Sequence, residues 1–204
     1  QGVQYEGAGY GSRYAGTHGP HPDYAICVDN SGLKLTWVQP GIMYLTVKVA
    51  GLPGGAWATG SSTDRAKSQN AIIKMIPAID AVEKWAADYH ERAVYESPGG
   101  TVKPSASITS IEAGTPYKAS MRPGVCSITM IVMIPPDVKP RTIVRELQDA
   151  TRAAGVDAEV QMHMAQLGYE AEGASGLVDV IQIAHKKLHG KEVEICDSPY
   201  CSVW

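Results

Sequence analysis

Asp29 is the residue of this sequence best placed to hold a cation. It closes the apolar run Tyr24 to Val28, and a carboxylate at the end of a buried strand can face a metal. Within Asp29-Asn-Ser-Gly32 the same residue also begins a turn, a role that needs no ligand. Glu6 is the one carboxylate of Tyr5-Glu-Gly-Ala-Gly9, whose glycines give it no fixed geometry. His18-Gly-Pro-His21 spaces two imidazoles closely, but Pro20 and Pro22 favour a solvated turn. His185 and His189 stand at i, i+4, which suits a divalent metal on one helical face. No Glu lies between them and no third ligand is near, so an exposed amphipathic face accounts for them better. Cys27, Cys126, Cys196 and Cys201 are too sparse for a disulfide scaffold and read as buried thiols. Cys196 and Cys201 flank a short loop that a disulfide could close in an oxidising compartment. There is no Gly-x-Ser-x-Gly, no Walker loop and no dinucleotide fingerprint, since Gly7-Ala-Gly9-Tyr-Gly11 follows no predicted strand.

Composition limits what can carry these residues. The 204 residues are 44% hydrophobic and 19% charged with a net charge of −3, which fits a globular protein of one large domain, with or without flanking pieces. That balance excludes a disordered polyampholyte, a collagen-like repeat and a coiled coil. No apolar run reaches the ~18 residues of a membrane span. No block of Lys or Arg points to nucleic acid. The chain begins at Gln1 without a leader pattern, so it reads as a processed form or as a piece of something longer.

The periodicities place the elements. Residues 1–22 form a Gly-rich approach, and Tyr24 to Val28 reads as a short strand buried on both faces. From Gly41, Met43, Leu45, Val47 and Val49 alternate with a mixed face, as in a half-buried strand. Asn70 to His90 reads as a helix with the apolar stripe Ile72, Ile76, Ile79, Val82, Ala86 and Tyr89, and with Pro77 as a kink or weak point. Ser105 to Glu112 and Val125 to Ile134 read as strands. Pro140 opens a helix with the stripe Ile143, Val144, Leu147, Ala150 and Ala154, stopped by Gly155. Glu159 to Met164 makes a last strand, and Leu177 to His189 one further amphipathic helix. The order β-α-β-β-α-β predicts an α+β, ferredoxin-like split βαβ unit: a four-stranded antiparallel sheet with two helices on one face, plus flanking segments.

Several of these runs resemble one family. Pro22-Asp-Tyr-Ala-Ile-Cys-Val-Asp29 resembles a strand of the di-zinc aminoacylase, acetylornithine deacetylase and dipeptidase metallopeptidases. Val47-Lys-Val-Ala-Gly51, Asn70-Ala-Ile72, Gly114-Thr-Pro116 and Ile134-Pro-Pro136 resemble successive parts of the lid, or dimerisation, domain inserted into that family's catalytic domain. Ala184 to Gly190 resembles the helix that re-enters the catalytic domain.

The resemblance implies a flanking segment at 1–40, a lid at 41–165 and a re-entry helix and tail at 166–204. It makes Asp29 the counterpart of a metal-binding acid, with Glu6 a weaker candidate and zinc the metal wherever a complete catalytic domain is present. The family's early His-x-Asp motif and late metal-binding His have no counterpart in this chain. Trp57 stands at about the place of the lid His, and an indole cannot change charge. Met133 stands where the family has its substrate-carboxylate Arg, and a thioether cannot form the bidentate clamp. The expected role is therefore a non-catalytic lid that associates with itself, as a dimer or a filament, with neither nucleic acid nor membrane as partner. Alternatives are a structural self-assembling module, a small-ligand-binding domain of the same fold, and part of an amide hydrolase completed by other segments. The family implies a cytoplasmic setting, whereas the Gln1 start fits a secreted one.

Overall fold

The computed structural model describes residues 14, 16–19, 21–26, 32–57 and 63–196. Its centre is a four-stranded antiparallel sheet. With strands and helices numbered along the chain, β2 (Gly41–Ala50) leads to α1 (Ala71–Arg92), β6 (Ser105–Ala113), β8 (Val125–Ile134), α2 (Pro140–Ala153) and β9 (Ala158–Gln166). The sheet order is β6-β8-β2-β9, so the first strand of the unit lies between the third and the fourth. This is the split βαβ arrangement that the element order predicts.

Alternation along β2 and β8 fixes which face is covered. Met43, Leu45, Val47 and Val49 are buried on one face with Cys126, Ile128, Met130, Val132 and Ile134. Register aligns them, with Gly41 opposite Ile134 and Ala50 opposite Val125. Both helices pack on that face and complete one core with Val82, Tyr89, Ile143 and Leu147. The other face carries Tyr44, Thr46 and Lys48, which match a side without a helix layer.

Local chemistry sets the helix ends. Asn70 caps α1 by accepting from Ile72 N at 3.0 Å, and His90 and Arg92 occupy the last turn, where cations suit the helix dipole. The helix runs unbroken through Pro77. Pro140 occupies the first turn of α2, where a missing amide hydrogen costs nothing. Gly155, at φ +77°, ends it in the left-handed region.

Smaller elements surround this unit. β1 (Val38–Gln39) pairs with β10 (Tyr169–Glu170), β3 (Gly54–Gly55) with β7 (Met121–Arg122), and β4 (Tyr95–Ser97) with β5 (Gly100–Val102). The last helix, α3 (Ser175–His189), ends at Gly190 with φ +74°. No helix among the described residues is long and apolar enough to cross a membrane.

Two expectations need correction. Tyr24, Ala25 and Ile26 form no strand and stay exposed, because no described strand pairs with them; Cys27 and Val28 lie outside the described residues. The core stripe of α1 is Ala71, Met75, Ala78, Val82, Trp85 and Tyr89. The isoleucines Ile72, Ile76 and Ile79 sit beside that stripe rather than in it. Alanines 71 and 78 let the helix approach the sheet closely, and that contact sets its rotation.

Candidate functional site

Among the described residues the metal-ligand candidates do not converge. Asp29 and Glu6 lie outside the described residues, as do Cys27 and Cys201. His18 Nδ1 is 2.7 Å from Thr17 Oγ1, and its ring stacks on Tyr14 at 4.4 Å; His21 is exposed. His185 and His189 are adjacent, with ring centroids 4.5 Å apart, but His185 Nδ1 is occupied by Lys191 O at 2.8 Å. Among the described residues no three His, Cys, Asp or Glu side chains group to hold a metal. The described residues therefore do not make a zinc site.

Trp57 and Met133 lie at opposite ends of the sheet. Trp57 follows the β3–β7 ribbon beyond the Ala50 end, where Ala56 N donates to Ser120 O at 2.8 Å, and the residue is 76% exposed. Met133 pairs with Ile42 at the Gly41 end. A ten-residue strand spans ~30 Å, so one chain does not bring these two positions together.

The feature that the structure does assemble is an open sheet edge with an apolar flank. β6 is the outermost strand and, among the described residues, pairs only with β8. Its register slips between Ile108 and Ser110, a bulge of the kind that discourages indiscriminate edge pairing. Ile111, on the helix-facing side of β6 opposite Ile128, is 56% exposed.

Ile72, Ile76, Ile79 and Ala86 recur along one side of α1, and His90 continues that line. His90 Nδ1 lies 2.7 Å from Pro104 O, immediately before β6, while Arg92 on the opposite side reaches Glu146 of α2. The isoleucine line therefore flanks the β6 edge. Ile72 is 41% exposed, and Ile73 is exposed beside it. Sequence reasoning placed these isoleucines in the core. The signal against that placement was the width of the apolar arc, since two adjacent isoleucines cannot both face one sheet. At the other edge, β9 carries its own bulge at His163, whose Nε2 is 2.6 Å from Thr46 Oγ1.

Comparison with known proteins agrees with this architecture. Residues 41–159 match the family model described as the peptidase dimerisation domain of the M20 peptidases. The chain belongs to that family. A crystal structure of a hydantoinase/carbamoylase family amidase from Burkholderia ambifaria is similar with a TM-score of 0.56 and 17% identity, over 81% of this chain and 37% of that one. The corresponding amidase from Burkholderia vietnamiensis gives 0.55 and 14%, over 80% and 36%. An M20 family metallo-carboxypeptidase, Sso-CP2 from Sulfolobus solfataricus, gives 0.55 and 13%, over 87% and 57%. At these identities the structures establish the fold. The chain spans between about one third and three fifths of the length of these neighbours.

Proposed function

We propose that this chain is the non-catalytic lid of an M20-type metallopeptidase or amidase and joins two copies through the β6 edge. The observation that supports this is the outer edge of Ser105–Ala113, which among the described residues pairs only with β8, beside the exposed Ile72 and Ile111. Two copies of such an edge, related by a two-fold axis, extend one sheet into the next and close as a dimer. Backbone hydrogen bonds supply the pairing, and burial of each exposed isoleucine adds up to ~1.5 to 3 kcal/mol.

Light scattering across a concentration series tests this reading. The expected mass is that of two chains, falling to one chain of 21.8 kDa in Ile111→Asp with unchanged far-ultraviolet circular dichroism. A wild-type mass that stays at one chain up to high micromolar protein overturns it. A mass that grows without limit indicates head-to-tail pairing of β6 with β9, and Met162→Lys on β9 should then arrest the growth.

A second reading concerns the whole protein. The M20 match and the partial coverage of amidase and carboxypeptidase neighbours support a lid that works with a separate metal-binding catalytic part, with zinc supplied there. On this reading the chain alone, with added zinc, hydrolyses neither N-acyl amino acids nor dipeptides. Metal-dependent turnover abolished by Asp29→Ala would overturn it.

A further inference from the structure

We infer that a cavity outside the lid sheet binds a small arylalkyl ammonium ion. The cavity, of about 380 Å³, lies between residues 23–26, residues 34–39, and residues 169–181, which include the first turns of α3. That volume falls in the range of small-ligand sites. Its aromatic lining comes from Tyr24, Trp37 and Tyr169, and α3 adds the aliphatic Leu177 and Ile181. Such walls accept a flat apolar body of one or two rings.

The polar groups decide the sign of the ligand's charge. Asp23, Glu172, Gln39 and Lys34 contribute to the lining. The Lys34 amine is already matched, 2.7 Å from Glu194 Oε1. Asp23 and Glu172 have no hydrogen bond or ion pair with any described residue. Among the described residues the cavity thus offers two carboxylates as acceptors, and its one cation is neutralised by a neighbour. An ammonium group supplies the missing donors and the complementary charge, and the aromatic faces add cation–π attraction. A carboxylate ligand would meet two like charges instead.

Phenethylammonium is the probe, titrated into the intact chain by calorimetry and followed by the Trp37 indole N–H resonance. The expected result is saturable binding that shifts this resonance. 2-Phenylethanol and phenylacetate, which keep the ring and lose the positive charge, should bind more weakly. Asp23→Asn and Glu172→Gln should each weaken binding about threefold, the scale of a solvent-exposed ion pair. Both side chains are exposed at the rim, so neither variant threatens folding. Equal binding of all three probes, no binding of phenethylammonium at millimolar concentration, or unchanged affinity in both carboxylate variants would each overturn the assignment. None of these outcomes bears on the β6 edge, so this site and the dimer stand or fall separately.

Discussion

Trp85 Nε1 donates to Glu146 Oε2 at 2.8 Å and so ties α1 to α2 across the outer side of the core. Glu146 is also the ion-pair partner of Arg92, whose Nε reaches Asp88 Oδ2 at 2.7 Å. The Arg92 guanidinium lies 5.6 Å from the centre of the Tyr89 ring, which stacks on Trp85 at 4.9 Å. One carboxylate therefore holds an indole from the covered side and a guanidinium from the solvent side.

Removing that carboxylate should loosen the helix pair. Glu146→Ala leaves the largely buried Trp85 N–H without its acceptor, and a lost charge-assisted bond costs about 1.5 to 3 kcal/mol. Glu146→Gln keeps an acceptor for the indole and should cost less. Trp85→Phe keeps a ring on Tyr89 but loses the same charge-assisted bond and part of the buried indole, so it should cost about as much as Glu146→Ala or more. Urea denaturation midpoints report all three, and a Glu146→Ala midpoint equal to wild type would refute the role of the tie.

Tyr89 should make the fold sensitive to alkali. Burial holds its phenol well above the ordinary value of 10.0; Arg92 opposes the shift, while Glu146 and Asp137 add to it. The hydroxyl donates to Met133 O at 3.1 Å. Above the ordinary value the unfolded chain releases the proton while the native chain keeps it, so the native state binds more protons and stability falls with rising pH. The contribution is whole below pH 10 and drains away as pH climbs towards the raised native value. Tyr95, raised chiefly by its hydrogen bond to Glu170, adds a slope in the same direction. Tyr89→Phe should flatten the decline of the urea midpoint between about pH 9 and 11 without abolishing it. An unchanged slope would show that Tyr89 ionises freely in the fold.

The unit from Gly41 to Gln166 was legible because its strands alternate over nine or ten residues and its helices carry clear end signals. The order and type of these elements follow from that periodicity. The rotation of α1 did not follow, because a hydrophobicity pattern counts Ile72 and Met75 alike, whereas helix–sheet contact is governed by the small residues at 71 and 78. The two-residue strands β1, β3, β7 and β10 have no periodicity to read; only pairing across the chain defines them. Tyr24 to Ile26 has the composition of a buried strand, yet composition cannot supply a covering layer. The cavity beside α3 joins segments more than 100 residues apart and leaves no local trace. The resemblance carried by short runs pointed to the family, and the match over 41–159 bears it out. The candidate acids Asp29 and Glu6 remain proposals.

Two glycines should respond to alanine very differently. A Cβ on Gly41 would stand 2.1 Å from Gln166 O and 2.4 Å from Gly168 N, so the backbones that cross there would have to part. Gly41→Ala should cost about 3 kcal/mol or more, in the range of severe core defects. At Gly155 a Cβ would meet only Ala66 Cβ, at 3.4 Å, but the backbone φ is +77°. Gly155→Ala should therefore cost about 1 kcal/mol, the usual strain of a left-handed alanine. Thermal unfolding of the two variants side by side measures the difference, and equal losses would contradict the close crossing at Gly41.

Cys126 should behave as an inert core thiol. It stands opposite Val49 and Ala113 in the sheet, on the face covered by the helices, and is fully buried. Burial pushes its pKa above the ordinary 9.0, and the thiolate is the nucleophile, so the native side chain lacks both ionisation and access. Iodoacetamide at neutral pH should modify it only as fast as the fold opens, and at once in concentrated urea. Peptide mass mapping separates Cys126 from the other three cysteines. Cys126→Ala removes a sulfur from a packed site and should cost about 1 kcal/mol. Cys126→Ser should cost more, since its hydroxyl enters an apolar layer where no acceptor is in place. Rapid native alkylation of Cys126 would mean that the β8 side of the core opens locally, well below the free energy of global unfolding.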